Sequence, residues 1–189
     1  SSDLLKPKCK QGLSPLVVTA SPSTGGSSGT SATSSGGTNE TATLELKALY
    51  LYDPMNRRVV RWVLGEATYY YAYDGWQEVQ EYAPGAAVEM TQFVWGEQLD
   101  ELVAFRTSPG VGVWSNYYVA EGGAYCPSHV LDEAGGVVEV QEYDPYGATT
   151  YYSGGVGYGR SQVGNPFGWK AVRVDAETGL LYMRNRYYH

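Results

Sequence analysis

The chain has 189 residues, of which 18 are Tyr and 24 are Gly, and only 17% are charged. This composition favours strands and tight turns, and it weighs against a helical bundle, a coiled coil and a mostly disordered chain. The net charge of −7 is unevenly distributed, because residues 66–144 contain 14 acidic residues and one basic residue, Arg106. Such an acidic middle repels phosphate backbones and argues against general nucleic-acid binding.

The first 43 residues divide into two segments. Residues 1–18 form a short N-terminal segment that we interpret as a broken repeat, with a strand predicted at 16–19. Residues 19–43 consist almost entirely of Ser, Thr, Gly, Ala and Pro. Because such a tract cannot bury enough apolar surface to offset its ordering entropy, we predict a flexible insertion here.

From residue 44 onward, short runs rich in Val, Tyr, Thr and Trp alternate with Gly, Asp and Pro. Runs of about five to nine residues with this composition are typical of successive strands. We predict strands at 44–51, 59–63, 68–73, 78–82, 88–95, 99–106, 113–120, 128–131, 137–143, 148–152 and 180–188. Residues 99–105 could instead form a short helix, but their length and flanking strands favour a strand.

An aromatic residue followed by Asp or Gly recurs where the predicted strands end, at Tyr52-Asp53, Tyr73-Asp74, Trp95-Gly96 and Tyr143-Asp144. The first three pairs are separated by 21 and 22 residues, which indicates a degenerate internal repeat. Residues 144–147 have the composition of a type I turn, with Asp first, Pro second and Gly last, and 53–56 and 132–135 repeat it. A hairpin unit with one apolar face must stack on neighbours, so the chain looks like part of a longer array.

These pieces resemble the YD-repeat, or RHS, family, and specifically the repeat-associated core that ends its repeat array. Degenerate repeats at 44–153 carry the first part of the resemblance, through Tyr52, Asp53, Asn56, Arg57, Tyr73, Asp74, Gly75, Trp95, Gly96, Asp132, Gly135, Tyr143, Asp144, Pro145 and Gly147. The core at 154–189 carries the more specific part, through Phe167, Gly168, Asp175, Thr178, Gly179, Leu180, Tyr182, Arg184, Arg186, Tyr187 and Tyr188.

The resemblance implies an all-β fold, in which an array of antiparallel β-hairpins forms part of a spiral β-sheet shell. It also implies a protein that is secreted or displayed on the cell surface. The expected partners are neighbouring repeats and a C-terminal toxin domain of the parent chain, which the shell encloses and presents. The expected function is therefore structural encapsulation, without turnover of a substrate.

Self-cleavage is one alternative that the same resemblance raises. In several family members the core ends with an Asp-Pro-x-Gly-Leu segment, at which an aspartyl-type reaction frees the toxin. The present sequence stops at residue 189 before such a segment, so the core is expected to be truncated. If cleavage needs paired carboxylates, Asp175 is the first candidate for the upstream partner and Glu177 the second. The ordinary interpretation of Asp175 is a turn-capping residue.

Carbohydrate binding or adhesion at the cell surface is the other alternative. Aromatic platforms for surface glycans could lie at 69–71 or at 117–118, where Tyr residues are consecutive. Alternation along a strand places Tyr69, Tyr71 and Tyr73 on one face and Tyr70 on the other. Cross-strand aromatic pairs that only stabilise the sheet explain the same pattern.

No pattern in the sequence predicts a metal site, a cofactor or a catalytic nucleophile. Neither Cys9 nor Cys126 has a second Cys or His at zinc-site spacing. Cys126 and His129 are three residues apart, which places their side chains on opposite faces of an extended chain. The glycine-rich run at 154–159 lacks the Lys-Ser/Thr of a phosphate loop, so we predict an ordinary loop. No stretch reaches the roughly 20 apolar residues of a transmembrane segment.

Overall fold

The computed structural model describes residues 16–19, 46–85, 89–110, 112–123 and 125–188. These residues form fifteen strands and one short 3-10 turn at Trp169–Ala171. The strands are β1 Leu16–Thr19, β2 Leu46–Tyr52, β3 Arg58–Val63, β4 Tyr69–Asp74, β5 Gln77–Ala83, β6 Glu89–Trp95, β7 Leu102–Gly110, β8 Val113–Glu121, β9 Pro127–Leu131, β10 Val137–Tyr143, β11 Thr149–Ser153, β12 Val156–Tyr158, β13 Arg173–Asp175, β14 Leu180–Tyr182 and β15 Tyr187–Tyr188. The predicted all-β fold class is confirmed.

Twelve of the strands form one antiparallel sheet whose spatial order is the order of the sequence, β1 to β12. Each strand pairs with the next along the chain, so the sheet is a continuous series of hairpins. The last three strands form a separate small sheet in the order β13-β14-β15. The predicted array of antiparallel hairpins is therefore present, and its form fits a β-sheet shell. The predicted strand at 16–19 is β1, whereas residues 20–43 of the predicted insertion lie outside the described residues.

Two predicted strands differ from the structure at their turns. The single strand predicted at 180–188 is two short strands, because Arg184 adopts a left-handed backbone (φ 58°) between β14 and β15. The strand predicted from residue 99 begins at Leu102, since Asp100 is also left-handed (φ 66°) and belongs to the preceding turn. The alternation of apolar and polar residues predicts where strands lie. It does not predict turns such as these two, in which the left-handed residue is not Gly.

The glycine-rich run at 154–159 is a hairpin, not the predicted loop. Gly154 and Gly155 have φ of 59° and 80°, values that L-amino acids with side chains rarely adopt. They form the tight turn that returns the chain into β12, which pairs with β11. The large sheet therefore continues past residue 153, where the repeats were predicted to end.

The predicted Asp turns at residues 53, 132 and 144 share one geometry. In each, the Asp Oδ1 accepts hydrogen bonds from the backbone N–H groups two and four residues later, at 2.8–2.9 Å. A left-handed residue closes each turn, namely Asn56, Gly135 and Gly147. This combination is a type I turn followed by a bulge, one of the standard connections of a β-hairpin. The residues from which these turns were predicted, Asp at the first position and Gly or Asn at the last, are therefore the ones that form them.

A β-bulge recurs near the start of β3, β5, β7 and β9. Between β2 and β3, Leu51 faces Val60 while Tyr52 faces Arg58, so Val59 is an extra residue. The same register shift between β4 and β5, between β6 and β7, and between β8 and β9 leaves extra residues at 79, 103 and 128. In a regular strand, side chains three residues apart point to opposite faces of the sheet. The extra residue of a bulge shifts this alternation by one, so two residues that flank the bulge and are three apart point to the same face. These inward pairs are Arg58/Arg61, Glu78/Glu81, Leu102/Phe105 and Pro127/Val130.

Three of the four recurrent aromatic residues, Tyr73, Trp95 and Tyr143, hydrogen-bond to the backbone at these bulges, whereas the Tyr52 hydroxyl bonds that of Tyr187. The Tyr73 hydroxyl donates to the carbonyl of Arg58 at 2.7 Å, and the Trp95 indole N–H donates to the carbonyl of Glu78 at 2.7 Å. Tyr143 donates in the same way to the carbonyl of Pro127. A bulge disrupts the ladder locally, so a buried carbonyl there needs another donor. These three Tyr-Asp and Trp-Gly pairs are therefore equivalent, because each supplies an aromatic donor before a turn.

We expect Tyr73→Phe to lower the free energy of unfolding by about 1–3 kcal/mol, because a buried carbonyl then loses its donor. Tyr70→Phe is the matched control. The hydroxyl of Tyr70 has no hydrogen-bond partner among the described residues, and its ring stacks on Tyr82 at 5.4 Å in both forms. Urea unfolding of both variants checks this. An equal loss in the two variants would show that the Tyr73 hydroxyl has no special role.

Candidate functional site

Residues 163–188, which we name the C-terminal clamp, fold back over one face of the large sheet. We name this the inner face. Phe167 of the clamp contacts Phe93 and Trp95 edge-on, with ring centroids 4.9 and 5.0 Å apart. Together with Leu102, Phe105, Val130 and Ala171, these rings form the largest apolar cluster. Burial of a Phe side chain of this kind stabilises a fold by about 1.5–3 kcal/mol, so the clamp is part of the core.

Beside this apolar cluster lies an ion-pair seam, made of Arg58, Arg61, Glu78 and Glu81 of the sheet and Arg173, Asp175 and Glu177 of the clamp. The seam holds seven charged side chains at a buried junction of two sheets. Charged residues are rarely buried unless they are paired. The arrangement of these pairs is therefore the most informative feature of the molecule.

Arg58 and Asp175 form the central pair. Arg58 Nη1 lies 2.7 Å from Asp175 Oδ2 and Nη2 lies 2.8 Å from Oδ1, and the two residues are 0% and 1% exposed. The guanidinium also lies over the rings of Tyr50, Tyr71 and Tyr182, at 4.9, 5.4 and 4.4 Å from their centroids. Burial alone would lower the pKa of Arg58, but the Asp175 carboxylate holds that pKa well above its ordinary value.

Arg173 joins the clamp to two carboxylates of strand β5. Its Nε donates to Glu78 Oε2 at 3.1 Å, its Nη2 also bonds Glu78, and its Nη1 lies 2.6 Å from Glu81 Oε2. The bulge at Val79 allows this arrangement, because Glu78 and Glu81 would lie on opposite faces of a regular strand. Burial alone would lower the pKa of Arg173, but the two carboxylates hold it well above its ordinary value.

The third connection is formed by Glu177. Its Oε2 lies 3.0 Å from Arg61 Nη1, and its Oε1 accepts a hydrogen bond from the Tyr50 hydroxyl at 2.7 Å. Arg61 also lies over the ring of Tyr69, 4.5 Å from the centroid. The bulge at Val59 places Arg61 on the same face as Arg58. Arg58 and Arg61, on one face of β3, thus pair with two carboxylates that are two residues apart in the clamp.

The seam matches charge with charge across the whole junction. Strand β3 presents two arginines, β5 two glutamates and β7 apolar side chains. Opposite them the clamp places two carboxylates, an arginine and a phenylalanine. A buried ion pair adds little net stability over a well-packed apolar pair, yet removal of one partner is costly. A shifted clamp would leave several buried charges unpaired. The seam therefore selects a single docking register for the clamp.

A separate buried carboxylate holds the segment that leads into the clamp. Glu139 of β10 is 1% exposed, and its Oε2 accepts hydrogen bonds from the Ser161 hydroxyl at 2.9 Å and the Gln162 N–H at 2.8 Å. The Ser161 hydroxyl in turn accepts the N–H groups of Val163 and Asn165. The clamp is thus attached to the sheet at its entry as well as along the seam.

The structure gives both sequence-predicted carboxylates a defined place. The Asp175 carbonyl, not its carboxylate, closes the turn, accepting the N–H groups of Thr178 at 3.0 Å and Gly179 at 2.7 Å. Its carboxylate is therefore available for Arg58, and Glu177 bonds Arg61. Self-cleavage stays a prediction. To act on a peptide bond, Asp175 would have to release at least one of its two bonds from Arg58.

The other predicted residues fall into two groups. Tyr52, Phe167, Tyr182 and Tyr187 pack beside the seam, where Tyr182 accepts the Arg58 N–H at 3.0 Å and the Tyr52 and Tyr187 hydroxyls bond each other. Arg184 pairs with Asp100. Other motif residues lie in or beside turns, namely Asp53, Asn56, Asp74, Gly75, Gly96, Asp132, Gly135, Asp144, Pro145, Gly147, Thr178 and Gly179, whereas Leu180 begins β14. The turn between β4 and β5 consists of Gly75 and Trp76, because Asp74 still pairs with Gln77, and Gly75 has a φ of 55°.

Gly168 is required for close packing of the clamp. A Cβ atom at this position would lie 2.5 Å from Thr149 Oγ1 and 2.8 Å from Val174 Cγ2. We expect Gly168→Ala to lower the free energy of unfolding by about 1–3 kcal/mol, because side chains on both sides must move. Gly159→Ala is the control, since nothing lies within 4 Å of a Cβ there. Thermal unfolding of both variants checks this, and equal midpoints would contradict it.

Sequence reasoning did not select Arg58, Arg61, Glu78, Glu81 or Arg173 as site residues. A signal was present in two like-charged pairs with a spacing of three residues, Glu78/Glu81 within a predicted strand and Arg58/Arg61 at the start of another. In a regular strand such residues face opposite sides, so the pattern has meaning only once the bulge is known. Arg173 carries no local signal of its role.

Most of the Tyr residues proposed as glycan platforms pack against other side chains of the sheet. Tyr71 is 7% exposed and its ring lies between Arg58 and Arg173, and Tyr117 stacks on Phe105 at 5.0 Å. Tyr70 pairs with Tyr82 across two strands. These contacts are the cross-strand pairs that stabilise sheets, and they leave Tyr118 as the exposed ring of that set.

In the described parts of the chain, no group of three or more His, Cys, Asp or Glu is placed to hold a metal ion. The same residues contain no helix with the length and apolarity needed to span a membrane.

In comparisons with known proteins, no family model matches this chain. No curated protein matches it significantly either. Among solved structures, the chain is similar to a Photorhabdus luminescens Tc holotoxin pore that carries a substitution in TccC3. The identity is 16% and the TM-score 0.45, and the match covers 80% of this chain and 7% of that chain. The present chain thus corresponds to a small fraction of that structure's length.

Proposed function

We propose that this chain is a wall segment of a larger β-sheet shell, in an exported or surface-displayed protein of the RHS type that encloses and presents a C-terminal toxin. One observation supports this most directly. The twelve-strand sheet runs strictly in sequence order, and its two end strands, β1 and β12, each have one neighbour among the described residues. Strand edges carry unpaired backbone groups that favour further pairing, so a sheet of this form can be extended at both ends.

The clamp adds a second argument for a structural role. The seam buries three arginines and four carboxylates where the clamp meets the wall, and all seven have partners there. Such a junction holds one geometry and excludes others. This suits a wall that must keep its curvature around a cargo, and it gives the clamp the role of fixing the inner face at one end of the array.

The experiment is to determine the intact mass and C-terminal peptides of the native protein from its source, before and after limited proteolysis. We expect a chain that continues past residue 189, with a C-terminal part protected from protease until the shell is opened by denaturant. A mature protein that ends at residue 189 and carries no protected part would contradict encapsulation.

A second function, aspartyl-type self-cleavage in the parent chain, is favoured by the position of Asp175. This carboxylate is 1% exposed and both of its oxygens are oriented by one guanidinium. We expect the double variant Arg58→Met with Asp175→Leu to abolish processing of the parent chain, because it removes the carboxylate while keeping an apolar contact. Circular dichroism verifies that the variant is folded. Unchanged processing in a folded variant would remove Asp175 from the mechanism.

A further inference from the structure

A cleft of about 400 Å³ lies where the tips of three hairpins meet the clamp, and we name it the rim cleft. Residues from four distant parts of the chain line it: the β2–β3 turn, the β4–β5 turn, the β6–β7 turn and the clamp. A cleft of this size falls within the range of pockets that hold ligands. It is separate from the ion-pair seam, although Glu78 and Arg173 border both.

The charge of the rim cleft is opposite to that of the chain. Two acidic side chains line it, Glu78 and Asp100, and five basic ones, Arg57, Lys170, Arg173, Arg184 and Arg186. Both acids are already paired with arginines of the cleft, Glu78 with Arg173 and Asp100 with Arg184. The cleft is therefore a basic site on a protein of net charge −7, and a basic concave site concentrates anions.

Two of the cations have no carboxylate partner in the described part of the chain. Lys170 and Arg186 are exposed and appear in none of the ion pairs found there. They lie on separate elements, the 3-10 turn and the β14–β15 turn. Arg57, by contrast, is fixed by Asp53 at 2.7 Å and by the Gly75 carbonyl at 2.7 Å. The Lys170 ammonium lies over the Trp169 ring, 4.6 Å from its centroid. An anionic ligand thus meets one preorganised guanidinium and two cations that have no carboxylate partner in the described residues.

The rim cleft also offers apolar and amide groups. Trp76 stands at the tip of the β4–β5 hairpin and is 42% exposed. The indole N–H of Trp95 is already bonded to a backbone carbonyl, so that ring offers its apolar surface. The amides of Gln77 and Asn185 line the cleft too, and amides are suited to bond the peptide groups of an extended chain. Exposed Trp together with Arg is the composition that dominates protein-recognition surfaces.

We propose that the rim cleft binds an acidic peptide segment of a partner protein, with its carboxylates at Lys170 and Arg186 and an apolar side chain against Trp76. Two cations on separate elements can each meet one of two carboxylates of a peptide chain. The Trp76 ring, which lines the same cleft, calls for a hydrophobic side chain in the same segment. Amide groups along the cleft supply partners for the peptide backbone.

The test is isothermal titration of the full chain with the blocked tripeptide Glu-Phe-Glu, against the blocked tripeptide Gln-Phe-Gln. We expect the charged tripeptide to bind at least about tenfold more tightly, and its affinity to fall as salt is added, because the difference is electrostatic. Trp76→Ala should weaken its binding as well. Equal affinity for the two tripeptides, or no binding of either at about 1 mM, would overturn the proposal.

Two matched arginine variants distinguish an effect of the cleft on binding from an effect of the chain's net charge. Arg186→Gln and Arg160→Gln change the net charge equally, and both residues are exposed, so both variants should keep the parent's unfolding midpoint. We expect only Arg186→Gln to weaken binding of Glu-Phe-Glu, by about three- to tenfold. An equal effect of Arg160→Gln would overturn the proposal. So would inorganic phosphate that binds the cleft as tightly as the charged tripeptide, since it would show a general anion site.

Discussion

Asp175→Asn is expected to lower the free energy of unfolding by about 3–5 kcal/mol, because it leaves the guanidinium of Arg58 buried without its counter-charge. Arg58 is 0% exposed and has no route to solvent in the folded state. The Tyr rings around it attract the cation but do not neutralise it. Equilibrium unfolding in urea, followed by Trp fluorescence, measures the loss.

Two controls show whether the cost comes from the unpaired charge. Replacement of both partners, Arg58→Met with Asp175→Leu, should recover most of the loss, because the buried charge is then gone. Asp100→Asn breaks a pair whose side chains are 27% and 33% exposed, and it should cost less than about 1 kcal/mol. If Asp175→Asn costs no more than Asp100→Asn, the central pair does not hold the clamp.

Arg173→Met is expected to cost at least as much, about 3–5 kcal/mol near neutral pH, since it leaves Glu78 and Glu81 facing each other without a cation. The loss should depend on pH. Burial raises the pKa of Glu78, and Arg173 is the largest influence that opposes this shift. Without Arg173 the folded-state pKa lies further above the unfolded value of about 4.3. Such a group contributes most stability below that value, and the contribution is lost as pH rises through the folded-state pKa.

The measurement is urea unfolding of Arg173→Met and of the parent protein between pH 4 and 8. The difference in stability between them should shrink towards acid pH, where the carboxylates bind protons. Adding Glu78→Gln to Arg173→Met should reduce the loss at neutral pH and flatten its pH dependence. A loss that stays constant over this range would show that Arg173 acts through packing, not through charge.

The hairpins could be predicted because their determinants are local. The turn at Asp53 is formed by the carboxylate of that residue and the N–H groups of Met55 and Arg57, all within five consecutive residues. The turns at residues 132 and 144 follow the same rule. Their residues appear together in the sequence, so the pattern that predicts the turn contains every atom that forms it. The all-β class and the hairpin array followed from these turns and the runs between them.

The partners of the predicted site residues could not be predicted, because they lie far away in the sequence. Asp175 and Glu177 were selected for carboxylate chemistry, and the structure places them against Arg58 and Arg61, which are 117 and 116 residues away. Glu78 lies 95 residues from Arg173. No spacing in the sequence links residues this far apart. Whether a charged strand residue is a surface residue or a buried partner depends on what crosses the sheet above it.

The sequence by itself determined where the chain turns and which runs are strands, because Asp, Gly and aromatic donors act on backbone groups a few residues away. It also contains two like-charged pairs, Arg58/Arg61 and Glu78/Glu81, whose members are three residues apart. Only the tertiary structure decided that bulges rotate Arg58 and Arg61, and Glu78 and Glu81, onto the inner face. The clamp then folds back over that face, and burial away from water makes any of its charges costly unless it has a partner there.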